Sequence, residues 1–148
     1  MSKAAMGGHR ETVHGTVIGI DGNGVLLKGE PGSGKSDLAL RFLEAGASLV
    51  ADDQAVLRLN NGQVFAEAPP QLSGRMEIRG IGIVDVPAIS EVCLKMVVLL
   101  SSKSEIERLP KLESTEILGI IVPVILVSAF EASAVAKIKF ALNHCALD

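Results

Sequence analysis

A short glycine-rich stretch that ends in lysine and serine places the strongest limit on how this chain can fold. Residues 29–36 fit the phosphate-loop pattern G-x-x-x-x-G-K-[ST]. The pattern requires a strand before it and a helix after it, because the loop amides and the positive end of the helix must face one anion. A β-rich segment at 25–28 and an amphipathic segment at 37–45 meet this requirement. We therefore expect an α/β protein that binds a nucleoside triphosphate.

The chemistry of phosphate binding explains each residue type in this loop. Glycines permit the turn and let backbone N–H groups close around phosphate oxygens. Lys35 would place its charge on the β and γ phosphates, and Ser36 would offer a hydroxyl to Mg²⁺. An ordinary glycine-rich turn with an exposed lysine is the alternative, and the strand and helix on either side disfavour it. The predicted nucleotide-binding residues are Gly29, Glu30, Pro31, Gly32, Ser33, Gly34, Lys35 and Ser36.

Periodicity and turn residues outline the remaining elements. Apolar residues make up 48% of the chain and aromatic residues 3%, so the core is aliphatic, which suits a sheet covered by helices on both faces. We expect residues 1–10 to be a disordered arm and residues 11–148 to form one P-loop domain with a mixed central sheet flanked by helices. The expected strands are 13–20, 25–28, 48–51, 55–59, 63–68, 94–100 and 117–127 (the last being one strand or two separated by Pro123), and the expected helices are 37–45 and 132–142.

Two adjacent acids, Asp52 and Asp53, follow the strand predicted at 48–51. A right-handed crossover would make this strand parallel to the one before the phosphate loop, so both would end at the same edge of the sheet. One carboxylate could then hold Mg²⁺, and its neighbour could serve as a base. The alternative is a solvated turn, since aspartate favours turns.

Composition excludes several function classes. The net charge is −3, which does not indicate a broad electrostatic grip on nucleic acid. The longest apolar run, 117–130, contains Gly119 and Pro123 and is shorter than the roughly 20 residues of a membrane span. We expect no nucleic-acid partner, no membrane insertion and a cytoplasmic location.

Four motifs in order give the sequence a family resemblance: His-Gly at 14–15, the loop at 29–36, Leu-Val-Ala-Asp-Asp at 49–53 and Met-Glu-Ile-Arg-Gly-Ile-Gly-Ile at 76–83. Together they resemble the catalytic domain of HPr kinase/phosphorylase over about residues 11–142. Members of that bacterial family phosphorylate a serine of the phosphocarrier HPr and can also remove the phosphate. The shortness of the chain resembles α-proteobacterial forms that lack the N-terminal domain.

The resemblance implies a fold of the HPr kinase/PEP carboxykinase type, with ATP and Mg²⁺ as cofactors and an HPr-type phosphocarrier as partner. It also implies a homo-oligomer, because family members form rings. Asp52 matches the carboxylate that takes the serine proton, and Asp53 would support Mg²⁺ or share that task. The implied catalytic residues are His14, Lys35, Asp52, Asp53, Arg79 and Arg108, and the implied metal ligands are Ser36, Asp53 and Glu77.

Several of these residues have a plainer alternative. His14, which matches the histidine before the phosphate loop, could simply brace the hairpin that segments 13–20 and 25–28 are expected to form. By resemblance, Glu77 is a metal-associated carboxylate and Arg79 is the motif arginine of the run at 76–83. They could instead share one solvated strand face. Arg108, which matches a catalytic arginine in a mobile loop, could decorate the surface.

The chain also departs from the longer family members. They carry a glycine-rich stretch ending in arginine after the signature, and residues 84–90 contain nothing comparable. They carry a late arginine-bearing loop tied to phosphate removal, whereas no arginine follows Arg108 here. We expect an ATP-dependent protein serine kinase with weak phosphorylase activity. The alternatives are a nucleotide-binding regulatory module with little transfer activity, and a small-molecule kinase, which would usually need a lid with several arginines.

Overall fold

The structure is a computed structural model that describes residues 10–145. Within these residues nine strands form one mixed sheet, and two more form a separate hairpin. The strands are β1 (Arg10–His14), β2 (Thr16–Ile20), β3 (Asn23–Lys28), β4 (Ser48–Ala51), β5 (Gln54–Asn60), β6 (Gln63–Glu67), β7 (Arg75–Ile78), β8 (Gly82–Asp85), β9 (Glu91–Leu100), β10 (Glu113–Ile117) and β11 (Ile120–Val127). The helices are α1 (Lys35–Glu44) and α2 (Ala134–Cys145), with short 3₁₀ turns at Pro70–Leu72 and Lys103–Glu105.

The order of strands brings four strand ends to one edge. The sheet runs β1-β5-β6-β9-β3-β2-β4, and β11 pairs with β9 and β10. β3, β9 and β11 are parallel neighbours. β4 points the same way as β3, because β2 lies between them and is antiparallel to both. The predicted meeting of the phosphate-loop strand and the acid-pair strand at one edge is therefore confirmed, although the two strands are not neighbours.

Both helices pack on one face of the sheet. Phe42 of α1 and Ile138 of α2 belong to one buried cluster with Leu27 of β3. The opposite face carries a second cluster, which includes Leu26 of β3 and Leu57 of β5 and is made by strands and their connections. The expected α/β class with a mixed sheet is confirmed. The expectation of helices on both faces is wrong within the described residues, because the curled sheet supplies its own second apolar layer.

Four other expectations need correction. The strand predicted at 13–20 is two strands, broken at Gly15, and only its second half pairs with β3. Pro123 does not divide the last strand but pairs with Ser114 inside β11, and the chain turns at Leu118 and Gly119 instead. None of the predicted strands covers residues 113–116, which belong to β10 and pair with β11. Residue 10 belongs to β1 rather than to the arm, and the rest of the predicted arm lies outside the described residues.

The helix after the phosphate loop ends as its sequence predicts. α1 runs to Glu44, and Gly46 just beyond it has a φ of 100°, in the left-handed region that glycine adopts without strain. The second predicted helix is confirmed as α2, which buries Ile138 and Leu142. No helix in the part of the chain that the structure describes is long and apolar enough to cross a membrane.

Candidate active site

The phosphate loop and the acid pair border one cavity of about 700 Å³ at the shared edge of the sheet. Lys35 and Ser36 line it from the start of α1, and Asp52 and Asp53 line it from the end of β4. These four residues are separated along the chain by helix α1 and strand β4, so the fold brings together the two motifs that sequence analysis singled out.

The phosphate loop is shaped by two close approaches. A Cβ atom on Gly29 would lie 2.3 Å from Oγ of Ser33 and 3.1 Å from Cβ of Leu100, so a larger residue there would force the loop side chains to move. Gly34 precedes α1 with a φ of 97°, and a Cβ there would lie 2.7 Å from Cβ of Ala129. No side chain caps the helix, so its first N–H groups stay available for an anion.

The lysine of the loop lies against the loop itself. Nζ of Lys35 donates a hydrogen bond of 2.8 Å to the carbonyl oxygen of Gly29. The ammonium therefore stands over the loop that closes around phosphates in proteins of this pattern.

The acid pair is held by a buried threonine and by the β7–β8 hairpin. The hydroxyl of Thr16 donates to Oδ1 of Asp52 at 3.4 Å, and the backbone N–H of Glu77 donates to Oδ2 at 3.3 Å. Asp53 has a φ of 68°, a left-handed conformation that aspartate tolerates better than most residues. This conformation directs its N–H to Oγ1 of Thr16 at 3.4 Å, and its carbonyl accepts from the N–H of Gly15 at 2.9 Å.

The surroundings of Asp52 make its carboxyl a weaker acid than an ordinary aspartate. Burial raises the pKa of its carboxyl above the ordinary value, and the charges of Asp53 and Glu77 add to that rise. The hydrogen bonds from the Glu77 amide and the Thr16 hydroxyl lower the pKa in part. A carboxyl tuned upward in this way is better matched to accepting a proton near neutral pH than an exposed one.

The cavity has more acidic than basic side chains, which matters for the expected binding of Mg²⁺. Four carboxylates line it (Asp37, Asp52, Asp53 and Glu77), against two cationic side chains (Lys35 and Arg79). A polyphosphate would meet net repulsion there unless a cation came with it. Mg²⁺ prefers oxygen ligands, usually one or two carboxylates with water and phosphate oxygens. No cluster of three His, Cys, Asp or Glu side chains that could hold a metal occurs among residues 10–145. The three residues expected to bind the ion, Ser36, Asp53 and Glu77, all line this cavity.

The run Met-Glu-Ile-Arg-Gly-Ile-Gly-Ile at 76–83 forms most of the β7–β8 hairpin, which covers one side of the cavity. Glu77 lies on β7, and Arg79 follows at the turn into β8. Both are exposed and line the cavity. The segment after β8 pairs with β4 through the N–H of Leu49 and the carbonyl of Pro87 at 2.8 Å. This pairing ties the hairpin to the strand that ends in the acid pair.

Two predicted catalytic residues lie elsewhere. His14, at the end of β1, lines a second cavity of about 950 Å³ on the other side of the phosphate loop, together with Gly29 and Lys103. Arg108 is exposed in the connection between Lys103–Glu105 and β10, and it lines neither cavity. The structure therefore brings together Lys35, Asp52, Asp53 and Arg79 but not His14 or Arg108.

Sequence reasoning missed three residues at the site. Thr16 joins the two aspartates, Phe130 lines both cavities, and Arg41 fastens the loop that carries Phe130. The only signal for Thr16 in the sequence is weak: it is a polar residue directly before the apolar run Val-Ile-Gly-Ile. No pattern in the sequence around Arg41 or Phe130 predicts that Arg41 binds the backbone next to Phe130.

Comparison with known proteins decides the family. The profile of the HPr serine kinase C-terminal domain matches residues 7–144. The chain belongs to this family. The resemblance carried by the four sequence motifs is thereby confirmed.

Relatives of this family share much of the chain. An HPr kinase/phosphorylase from Lactobacillus delbrueckii subsp. bulgaricus is 40% identical over 120 residues, which cover 74% of this chain and 38% of the relative. One from Bordetella petrii is 37% identical over 116 residues, 71% of this chain and 38% of that protein. The chain thus spans well under half the length of these curated relatives.

A solved structure matches nearly the whole fold. The HPr(Ser) kinase/phosphatase from Coxiella burnetii superposes with a TM-score of 0.81 and 30% sequence identity, covering 90% of this chain and 95% of that one. The mixed sheet with its two helices is therefore the fold of an HPr kinase family member.

Proposed function

We propose that this chain transfers the γ-phosphoryl group of ATP to a serine of an HPr-type phosphocarrier protein of the phosphotransferase system. The observation that carries the proposal is that the acid pair and the phosphate loop share one cavity. The names of the relatives from Lactobacillus delbrueckii and Bordetella petrii support the kind of reaction and the kind of partner.

In this proposal the loop and the start of α1 position the phosphates. The backbone N–H groups of the loop and the ammonium of Lys35 would spread the charge that develops on the transferred group. Mg²⁺ held by Ser36, Asp53 and Glu77 would neutralise further charge on the phosphate oxygens. Arg79, exposed on the same cavity, is the arginine available to the transferred group.

Asp52 is the proposed general base. Its half-buried carboxyl, which the Thr16 hydroxyl and the Glu77 amide hold in position, would accept the proton of the attacking serine hydroxyl. Asp53 is exposed, which leaves its carboxylate free to face a hydrated cation. The opposite assignment of the two acids is the alternative, and the Mg²⁺ dependence of the transfer rate in Asp52→Asn and Asp53→Asn separates the two.

His14 and Arg108 keep a more distant role in the proposal. Both are exposed and lie outside the cavity that holds the acid pair. A carrier protein is large enough to span both cavities, so either residue would act by contacting the carrier rather than the nucleotide. The proposal keeps the expected cytoplasmic location, because ATP is produced and consumed there, and it keeps a homo-oligomer on family grounds alone.

The proposal is tested by incubating the chain with γ-labelled ATP, Mg²⁺ and a purified HPr carrier. We expect label on the carrier, and we expect none on a carrier whose target serine is replaced by alanine. Lys35→Ala provides the matched enzyme control and should abolish labelling. Binding of ATP with no labelling of any carrier would overturn the kinase proposal and support the nucleotide-binding regulatory module instead.

A further inference from the structure

An exposed aromatic ring lies beside the phosphate loop. Phe130 follows β11, and 71% of its surface is exposed. Its ring carbons Cε1 and Cζ lie 3.2 Å from the point where a Cβ atom would stand on Gly34. The ring borders both cavities, one on each side of the loop. It therefore stands next to the phosphate-binding backbone and open to solvent.

The ring is carried by a fixed segment. The guanidinium of Arg41 on α1 donates to the carbonyl of Ala129 and, at 3.3 Å, to that of Glu131. Asp37 holds the same guanidinium at 3.1 Å. Ala129 itself is 1% exposed. The backbone on both sides of Phe130 is thus tied to the helix that begins at the phosphate loop, so the ring is presented in a set position.

Ion pairs of Glu131, the residue after Phe130, hold the same segment a second time. The carboxylate of Glu131 receives Nζ of Lys137 at 2.7 Å and lies 3.6 Å from Nζ of Lys103. Leaving an apolar ring in water gives up the free energy that its burial would provide. The anchored backbone holds this ring with a flat apolar face open to a ligand beside the phosphate loop.

The position of the ring indicates its ligand. All four phenylalanines of the chain lie within the described residues, and the chain has no tryptophan or tyrosine. Phe42 is buried in the core, and neither Phe65 nor Phe140 lines these cavities. A nucleoside triphosphate held by the loop would extend one ribose beyond its α-phosphate and there present a flat base.

We propose that Phe130 stacks on the base of the nucleoside triphosphate and that Arg41 is the positioning residue for this platform. The inference rests on the proposed use of a nucleotide at the phosphate loop and adds the subsite for its base. Stacking is tolerant of base identity, because every base has a π face. The platform therefore strengthens the binding of nucleotides over inorganic polyphosphates without selecting adenine over guanine.

The test compares Mg·ATP with magnesium tripolyphosphate, which has the phosphates but no base, by calorimetric titration of the 148-residue chain. Phe130→Ala should weaken ATP and GTP by roughly 5- to 150-fold, the range seen for loss of base stacking, and leave tripolyphosphate within about twofold. Phe140→Ala, which removes a ring that is 77% exposed on α2, is the matched control and should change neither affinity.

Phe130→Trp gives an independent measurement. It would introduce the sole tryptophan of the chain, and its fluorescence should change with ATP but not with tripolyphosphate. Full ATP affinity in Phe130→Ala, equal loss of both ligands, or the same fluorescence change with both would overturn the inference. A wild-type chain that binds neither ligand would instead overturn the phosphate-loop proposal, and the base subsite with it.

Discussion

The hydroxyl of Thr16 joins the two aspartates of the candidate site. It donates to Oδ1 of Asp52 and accepts from the backbone N–H of Asp53, each at 3.4 Å. Thr16 is 1% exposed and lies on β2, between the strand that leads to the phosphate loop and the strand that leads to the acids. One buried hydroxyl therefore sets the position of the proposed base relative to the phosphate loop.

Thr16→Val should slow phosphoryl transfer while leaving ATP binding nearly unchanged. Valine keeps the shape of threonine but removes the hydroxyl, so the Asp52 carboxylate loses one of its two partners. An unmade hydrogen bond at a part-buried group costs about 1–3 kcal/mol, and we expect about a tenfold fall in kcat. Thr16→Ser keeps the hydroxyl and should restore most of the rate. Equal rates for the valine and wild-type chains would show that Asp52 needs no such support.

Lys35→Ala should greatly weaken triphosphate binding and leave the fold intact. The side chain makes one hydrogen bond, to the carbonyl of Gly29, and alanine is a good helix former at the start of α1. Lys139→Ala, on α2 away from both cavities, is the matched control. Titration with a fluorescent ATP analogue measures the affinity, and circular dichroism checks the fold. Unchanged affinity would refute the phosphate-loop assignment.

The parts of the site that sequence predicted are those whose chemistry is local. The phosphate loop is eight consecutive residues with a strand before and a helix after. The acid pair follows a strand whose direction the crossover rule determines. Each inference needs one short segment and one general rule, and the shared cavity confirms that both motifs reach the same edge.

The parts that sequence missed depend on contacts between distant segments. Arg41 and the carbonyl it fastens are 88 positions apart, and Thr16 and Asp52 are 36 apart. The faces of the sheet posed the same difficulty. The alternating burial of β5 and β6 shows that each strand has one covered face. An alternating sequence pattern predicts such a face but does not say whether a helix or another part of the sheet covers it. That depends on how the sheet curls in three dimensions.

Phosphate removal from a serine-phosphorylated carrier should be slower than in the longer relatives. The reason is the late segment, where the family resemblance leads us to expect an arginine-bearing loop tied to phosphate removal. Here Ile125, Leu126 and Val127 are paired with β9 inside the sheet, and no arginine follows Arg108. The measurement is release of inorganic phosphate from the phosphorylated carrier, with the Bordetella petrii relative assayed in parallel. Release as fast as by that relative would contradict the prediction.

Asp52→Asn should leave nucleotide binding in place and lower the transfer rate. Asparagine keeps the shape, and its one carbonyl oxygen can accept from the Glu77 amide while its NH2 group donates to the Thr16 hydroxyl, but it cannot take a proton at neutral pH. Loss of a positioned base typically costs about 10²–10⁴-fold in rate. The measurement is the transfer rate over a range of Mg²⁺ concentrations, because a metal ligand would show a different dependence from a base.

Asp53→Asn is the matched variant for this experiment. Asparagine tolerates the left-handed backbone at this position, so the turn and its bond to Gly15 should persist. We expect a higher Mg²⁺ requirement and weaker Mg·ATP binding, with the rate recovering at high Mg²⁺. Should excess Mg²⁺ restore Asp52→Asn instead, the two aspartates exchange roles. Should both variants transfer at the normal rate, the acid pair is only a turn, and the kinase proposal loses its central support.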